Sequence, residues 1–457
     1  MNEKDRIKIK SKVTANGLAV GLFKKEYCLA YPKGIFGCLN EKERRILAEN
    51  FLFCRLGALG LSGQKHKIEW DFKKPFFYDF VDYGLKKDLA RICQENKIDQ
   101  ARLEESWKAG KKNFLFIKTG GKEILGKRSV NDKKIILAMS FGKDSLLSYA
   151  LAKELGFDVL PVFVREMENV NPRELKRKES IMKAFQKNEG RKTKVLLDNM
   201  DEALYRREYQ KEMRSADNAN AMLAFAMELL PFAYSARARY IVMGNEQNFN
   251  DSFVNRCGRK AYPSFDQSAA YLAKMNQRLD EFTDNTLRCL SLVEPLYNIA
   301  EYKIFFNRYP DLLQYNMSCD LEKAGGAGKW CLGCTMCASS FLSSWAVGGR
   351  PEQMGIKEDM FKPRYRDLYI IFGGRQSSYD MPPAIMEEQM LEFLLAMKNG
   401  AKGHLMELFK KKFLRQALAK EACFRKKYFG IHSSDNIPRT IRTSLLKIFK
   451  QELKSLQ

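Results

Sequence analysis

The chain has 457 residues, 45% hydrophobic and 29% charged, with a formal net charge of +24. That length exceeds one simple core and implies two or three domains. No apolar run approaches the roughly 18 residues of a membrane-spanning helix, which argues against a helical membrane protein.

The opening MNEKDRIKIK has neither an apolar stretch nor a cleavage site. A secretory signal is therefore not expected, and a cytoplasmic location is the default. Residues 1–130 mix strand-like alternation (IKIKSKV, HKIEWDF, NFLFIKT) with a helical stretch, EKERRILAENFLF. They read as an accessory α+β domain. The aromatic run WDFKKPFFYDFVDYG within it suits a core or a docking surface better than catalysis.

The pattern changes at Lys133. KIILAM is an unalternating apolar run, as in a strand buried on both faces. Leu146, Leu147, Ala150, Leu151 and Leu155 then follow at helical spacing, and Gly156 ends the helix. Next come VLPVFV at 159–164, KVLLD at 194–198, a long apolar helix within 217–238, and YIVMG at 240–244. Strands alternating with helices predict an α/β fold with a doubly wound parallel sheet over 131–348. Pro161 blurs the bounds of the second strand. Beyond Gly348 the chain reads as a mainly helical, basic region (349–457) with one strand-like run, LYIIFGG, and two last helices separated by HSSDNIP. Residues 401–457 carry 14 Lys/Arg against 4 Asp/Glu, and a second basic run covers Arg173–Lys194. Such surfaces attract polyanions or are simply solvated helix faces.

The most informative stretch is Ser140-Phe141-Gly142-Lys143-Asp144-Ser145, between the first strand and its helix. A helix N-terminus offers free N–H groups and partial positive charge, and a tight turn feeding it forms an anion nest. Ser140 and Ser145 add hydroxyls, and Lys143 adds a mobile cation. Asp144 would repel a bare phosphate, but suits a helix cap or a Mg²⁺ ligand. The set fits a metal-bound triphosphate. Asn245 and Glu246, after Gly244, fall at the carboxyl edge of the fourth strand, where such sheets bind ligands. Glu246 is a candidate to hold Mg²⁺ or act on substrate, with a loop-capping role as the alternative.

Eleven cysteines occur; seven are scattered and four are clustered, Cys319, Cys331, Cys334 and Cys337. Two consecutive C-x2-C steps, with a Gly-rich spacer that lets Cys319 fold back, point to a metal. Four thiolates without histidine favour a closed structural Zn²⁺ site, with an iron–sulfur cluster as the alternative.

The Ser140–Ser145 loop resembles the SGGxDS loop of the PP-loop ATP pyrophosphatase superfamily, with Phe141 where that family usually has Gly. The resemblance implies an adenine-nucleotide α-hydrolase type sheet and a loop gripping the β- and γ-phosphates of ATP. A substrate oxygen would attack the α-phosphate, and Val162, Phe163 and Val164 would lie against adenine. A PP-loop followed by C-x(n)-C-x2-C-x2-C is the layout of 7-cyano-7-deazaguanine synthases. MGNEQNFND, LVEPLYNIAEYKIFF and SCD…KWCLGCTMCASSFL are similar to the ATP-dependent epimerases of UDP-MurNAc-L-Ala-L-Glu. YPSFDQSAAY departs from the latter by lacking histidine. These resemblances imply ATP-dependent adenylation of a carboxylate on a small or nucleotide-linked substrate, with Lys143, Asp144 and Glu246 as catalytic residues. A tRNA-modifying PP-loop enzyme and a non-catalytic ATP-binding protein are the alternatives.

Overall fold

The computed structural model describes residues 6–22, 24–166, 172–204, 215–319, 328–374 and 383–456. The first part supplies strands β1 (Arg6–Thr14), β2 (Gly17–Leu22), β3 (Lys25–Ala30), β4 (Lys67–Trp70) and β5 (Phe114–Phe116). Its helices are α1 (Glu41–Leu56), α2 (Tyr78–Asn96) and α3 (Gln100–Lys111). A reciprocal capping box fixes the start of α1: Asn40 accepts from Glu43 N–H and the Glu43 carboxylate accepts from Asn40 N–H. The aromatic run is core: Trp70, Phe72, Phe77 and Phe80 are fully or almost fully buried.

Next come β6 (Asn131–Ala138), α4 (Lys143–Glu154), β7 (Asp158–Arg165), α5 (Pro172–Glu189), β8 (Lys194–Asp198), α6 (Ala221–Ala236) and β9 (Ala238–Met243). A short hairpin of β10 (Phe253–Val254) and β11 (Lys260–Ala261) precedes α7 (Ala269–Phe282), β12 (Arg288–Ser291) and α8 (Asn298–Arg308). Five helices complete the described chain: α9 (Thr335–Ala346), α10 (Pro383–Lys398), α11 (His404–Lys412), α12 (Leu414–Tyr428) and α13 (Arg439–Leu453).

One mixed, mostly parallel sheet runs through the molecule in the order β12-β9-β6-β7-β8-β3-β2-β1-β4-β5. The β12-to-β8 half is parallel, and β3 joins it antiparallel to β8. The sheet is therefore continuous across the expected accessory region. Arg55 on α1 strengthens that seam, buried among Glu228 (2.5 Å), Glu166 (3.0 Å) and Asp198 (3.2 Å).

Strand β6 is buried on both faces, as its unalternating sequence requires. Ile135 and Leu137 enter the core that continues into the C-terminal helices; Ile136 enters the core shared with α1, α2 and α6. Pro161 sits within β7 without loss of a ladder bond. Val162 C=O accepts from Met139 N–H on the β6 side, so position 161 directs its missing donor the other way, where β8 pairing starts only at Val162.

Two expectations are corrected in the C-terminal region. LYIIFGG is not a strand: Ile370–Phe372 form a 3₁₀ turn. Tyr369 and Phe372 pack on Phe393 of α10 at 5.3 and 5.2 Å. A five-residue apolar run fits a buried turn as well as a strand. The first of the two last helices is instead two, α11 and α12, broken at Phe413. The scattered cysteines divide: Cys54, Cys93 and Cys289 are buried, whereas Cys257 and Cys423 are exposed. No helix among the described residues is long and apolar enough to cross a membrane.

Candidate active site

The chain leaves β6, runs to β7 and β8 on one side, and returns to β9 on the other. The carboxyl ends of β6 and β9 thus flank a topological switch point, where a crevice forms in open α/β sheets. The loop 140–145 and the segment 244–246 meet there.

Phe141 adopts a left-handed backbone, φ +59°. This costs a residue with a side chain about 1–2 kcal/mol. Burial offsets the cost: the ring is fully buried, 5.5 Å from Phe185 edge-to-face and 6.2 Å from Phe163. Phe141 therefore points into the core beneath the loop, and Ser140 stays exposed above it. Ser140 Oγ accepts from Gly142 N–H (3.3 Å), and Ser145 Oγ donates to Gly142 C=O (3.0 Å). Gly142, the α4 N-cap, supplies no side-chain cap.

The segment before Cys319 straps this loop. Met317 N–H donates to Phe141 C=O (2.8 Å), and Lys143 N–H donates to Ser318 Oγ (3.2 Å). Ser318 in turn donates to Asn316 Oδ1 at 3.0 Å.

Lys143 does not project as a free cation. Its buried ammonium bonds Glu301 at 2.8 Å, Glu246 at 3.1 Å and the adjacent Asp144 carboxylate. Burial opposes the charge on Lys143, but these three carboxylates outweigh it and hold its pKa well above the usual value. Burial pushes Glu246 up and Glu301 much further, with Asp144 adding to both. One oxygen from each of Asp144, Glu246 and Glu301 lies within 4.8 Å of the others. Glu301 is fully buried, and its Oε1 has no hydrogen-bond partner. An orphaned carboxylate oxygen beside a carboxylate group suits a hard cation. Gly244 permits this approach, since a β-carbon there would come 2.9 Å from Asp144 Cβ.

Two cavities meet at Asp144, Gly244 and Gln267. The first, about 220 Å³, is lined by Ser140, Ser145, Val162, Phe163, Val164 and Asn245 among others. It gathers most of the residues expected around a nucleotide. Phe141, Gly142 and Lys143 lie outside its wall. The second, about 310 Å³, adds Glu246, Asn248 and Phe249 to Glu388, Gln389 and Glu392 of α10. The basic residues that follow, Arg256, Arg259 and Lys260, are exposed around the β10–β11 hairpin and line neither cavity, as in a solvated loop.

The four clustered cysteines are buried together. Sγ separations are 3.4 Å for Cys334–Cys337 and 3.9 Å for both Cys331–Cys337 and Cys319–Cys334. Left-handed Leu332 (φ +57°) turns the first C-x2-C step, and N–H groups of Cys331 and Gly333 donate to Cys319 and Cys331 sulfurs. The geometry is compatible with a metal site. The Gly-rich spacer falls largely in residues 320–327, outside the described residues.

Sequence reasoning missed Glu301, Glu388 and Glu392. Each had a visible signal: an acid whose i+3 and i+4 neighbours are apolar, as in EYKIF, or two acids at i, i+4 in the apolar PAIMEEQMLEFLLAMK. The chain matches no protein-family model, and no curated protein matches its sequence.

Proposed function

We propose that the chain is an ATP-dependent adenylating enzyme, cleaving ATP to AMP and pyrophosphate while activating a carboxylate on a small or nucleotide-linked substrate. The observation that carries this reading is the strand–SFGKDS–helix turn whose Asp144 stands where two cavities meet. The loop and the α4 N-terminus offer N–H and hydroxyl donors to the pyrophosphate half. Val162, Phe163 and Val164 offer a strand end for adenine, as in the PP-loop superfamily that the loop resembles.

Asp144, Glu246 and Glu301 are the residues to hold Mg²⁺, which supplies charge neutralisation for a triphosphate. Lys143, no longer needed among those carboxylates, would then turn toward the phosphates. In the reaction a carboxylate oxygen forms a bond to the α-phosphorus, and the bond to the bridging oxygen breaks. Pyrophosphate leaves with the negative charge that Lys143 and the loop donors stabilise.

The cysteine cluster is assigned to structural Zn²⁺. A Zn–S distance of about 2.3 Å in a tetrahedron spaces sulfurs about 3.8 Å apart, near the observed separations. The ion would pin the strap at 316–318 against the loop.

The test is product analysis with Mg²⁺, ATP and pools of small and nucleotide-linked carboxylates. AMP and pyrophosphate are expected, with Asp144→Asn lowering turnover at least about 100-fold, the scale of lost electrostatic stabilisation. ADP and phosphate as products would overturn the reading. AMP release that requires tRNA would replace it with RNA modification.

A further inference from the structure

The larger cavity is acidic where a carboxylate substrate would want positive charge. Glu388 and Glu392 are each more than nine-tenths buried, and both line it. Glu388 Oε1 accepts from Ile299 N–H at 2.9 Å, and Glu392 Oε1 accepts from the Ser343 hydroxyl. The second oxygen of each has no hydrogen-bond partner among the described residues. The cation that acts on both is Lys143, already bonded to three other carboxylates. Glu246 and Asp144 complete one acidic wall. Burial, with mutual repulsion at Glu388, drives both carboxyls upward, Glu392 to about 8. A buried carboxyl held this way is stabilised when a positive group arrives.

The rest of the lining includes apolar side chains, Phe249, Pro263, Met336 and Ile385. The Glu388 and Glu392 carboxylates also stand outside the compact Asp144–Glu246–Glu301 group. That separation distinguishes an organic cation from a metal ion, which needs several oxygens converging within a few ångströms.

We infer that the cavity between α10 and the 244–249 segment binds a small organic cation, an ammonium or amidinium group on an apolar body. Its head lies between Glu388 and Glu392, outside the Asp144–Glu246–Glu301 group, and its body lies on Phe249, Met336 and Ile385. Calling this ligand a substrate rests on the adenylation reading; its binding does not. On that reading the carboxylate to be activated stays at the Asp144 junction, and the cationic part of the substrate or co-substrate fills the α10 side.

The test is calorimetry on the full chain with benzylamine, benzyl alcohol and benzoate. Benzylamine is expected to saturate one site, with the alcohol at least about tenfold weaker and benzoate silent; 1.4 kcal/mol per tenfold is a modest demand on a desolvated ion pair. Glu392→Gln, which keeps the acceptor for Ser343, is expected to weaken benzylamine at least fivefold. Equal binding of amine and alcohol, no saturable binding, or competitive displacement by Mg²⁺ alone would each overturn the inference, whether or not the variant folds. ATP·Mg²⁺ binding in the same protein separates the two claims. Amine selectivity without nucleotide binding sinks only the adenylation reading, and nucleotide binding without amine selectivity sinks only this one.

Discussion

At the scale of single residues, Phe141 and Lys143 each trade one cost against another. Phe141 pays for a left-handed backbone with a buried ring. Removing the ring costs about 3–5 kcal/mol, whereas glycine recovers about 1 kcal/mol of backbone strain at this φ. Urea denaturation is therefore expected to rank wild type above Phe141→Gly and Phe141→Ala lowest, the reverse of the usual Ala-over-Gly order. An Ala variant more stable than the Gly variant would contradict the strain assignment. Lys143 is the counter-ion of three carboxylates. Lys143→Met is expected to cost about 3–5 kcal/mol by leaving buried charge unpaired. Millimolar Mg²⁺ is expected to raise the melting temperature of that variant more than that of wild type. No Mg²⁺ dependence in either protein would contradict the assignment of Asp144, Glu246 and Glu301 as a cation seat.

At the scale of elements, the strap at 316–318 joins the cysteine cluster to the phosphate-binding candidate loop through Met317 and Ser318. Cys334→Ser is expected to lower zinc from one ion per chain toward zero by elemental analysis and to weaken nucleotide binding in parallel. Retained metal would contradict the four-thiolate site. The loop between β12 and α8 carries Glu294, whose carboxyl burial pushes up to about 7 while an Asn436 hydrogen bond (2.5 Å) opposes the shift. With a folded pKa above its unfolded value of about 4.3, Glu294 stabilises the fold when protonated. That contribution is whole below about pH 4.3 and is lost as pH rises through about 7. Glu294→Gln is expected to remove roughly 3 kcal/mol of pH dependence over that window, read by denaturation at pH 4.5 and 7.5. Identical slopes for both proteins would contradict the assignment.

The elements bearing the loop were legible because their signals are local. KIILAM is apolar on both faces, and α4 repeats leucines at helical spacing up to Gly156. The acids that complete the site were not, because Glu301 gains its meaning only when helix 298–308 packs against α4, and Glu388 and Glu392 only when helix 383–398 packs against helix 335–346. LYIIFGG misled for the same reason: a short apolar run takes its conformation from the surface that buries it.

At the scale of the molecule, an acidic double cavity sits inside a chain of net charge +24. On the adenylation proposal, a basic exterior would raise the local concentration of nucleotide anions, and the buried carboxylates would require those anions to arrive with Mg²⁺. The sheet that carries the site runs unbroken into β1–β5, with Arg55 bonded across the seam. Sequence periodicity reports strands but not which strand lies beside which, so this continuity was illegible. The most direct measurement is a crystal structure with Mg²⁺ and an ATP analogue bearing a non-cleavable α–β bond. The expected result places β- and γ-phosphates on the amides and hydroxyls of Ser140–Ser145, adenine against Val162–Val164, and Mg²⁺ on Asp144. Nucleotide bound elsewhere, with the 140–145 loop still closed on itself and Lys143 still held by its three carboxylates, would contradict the account.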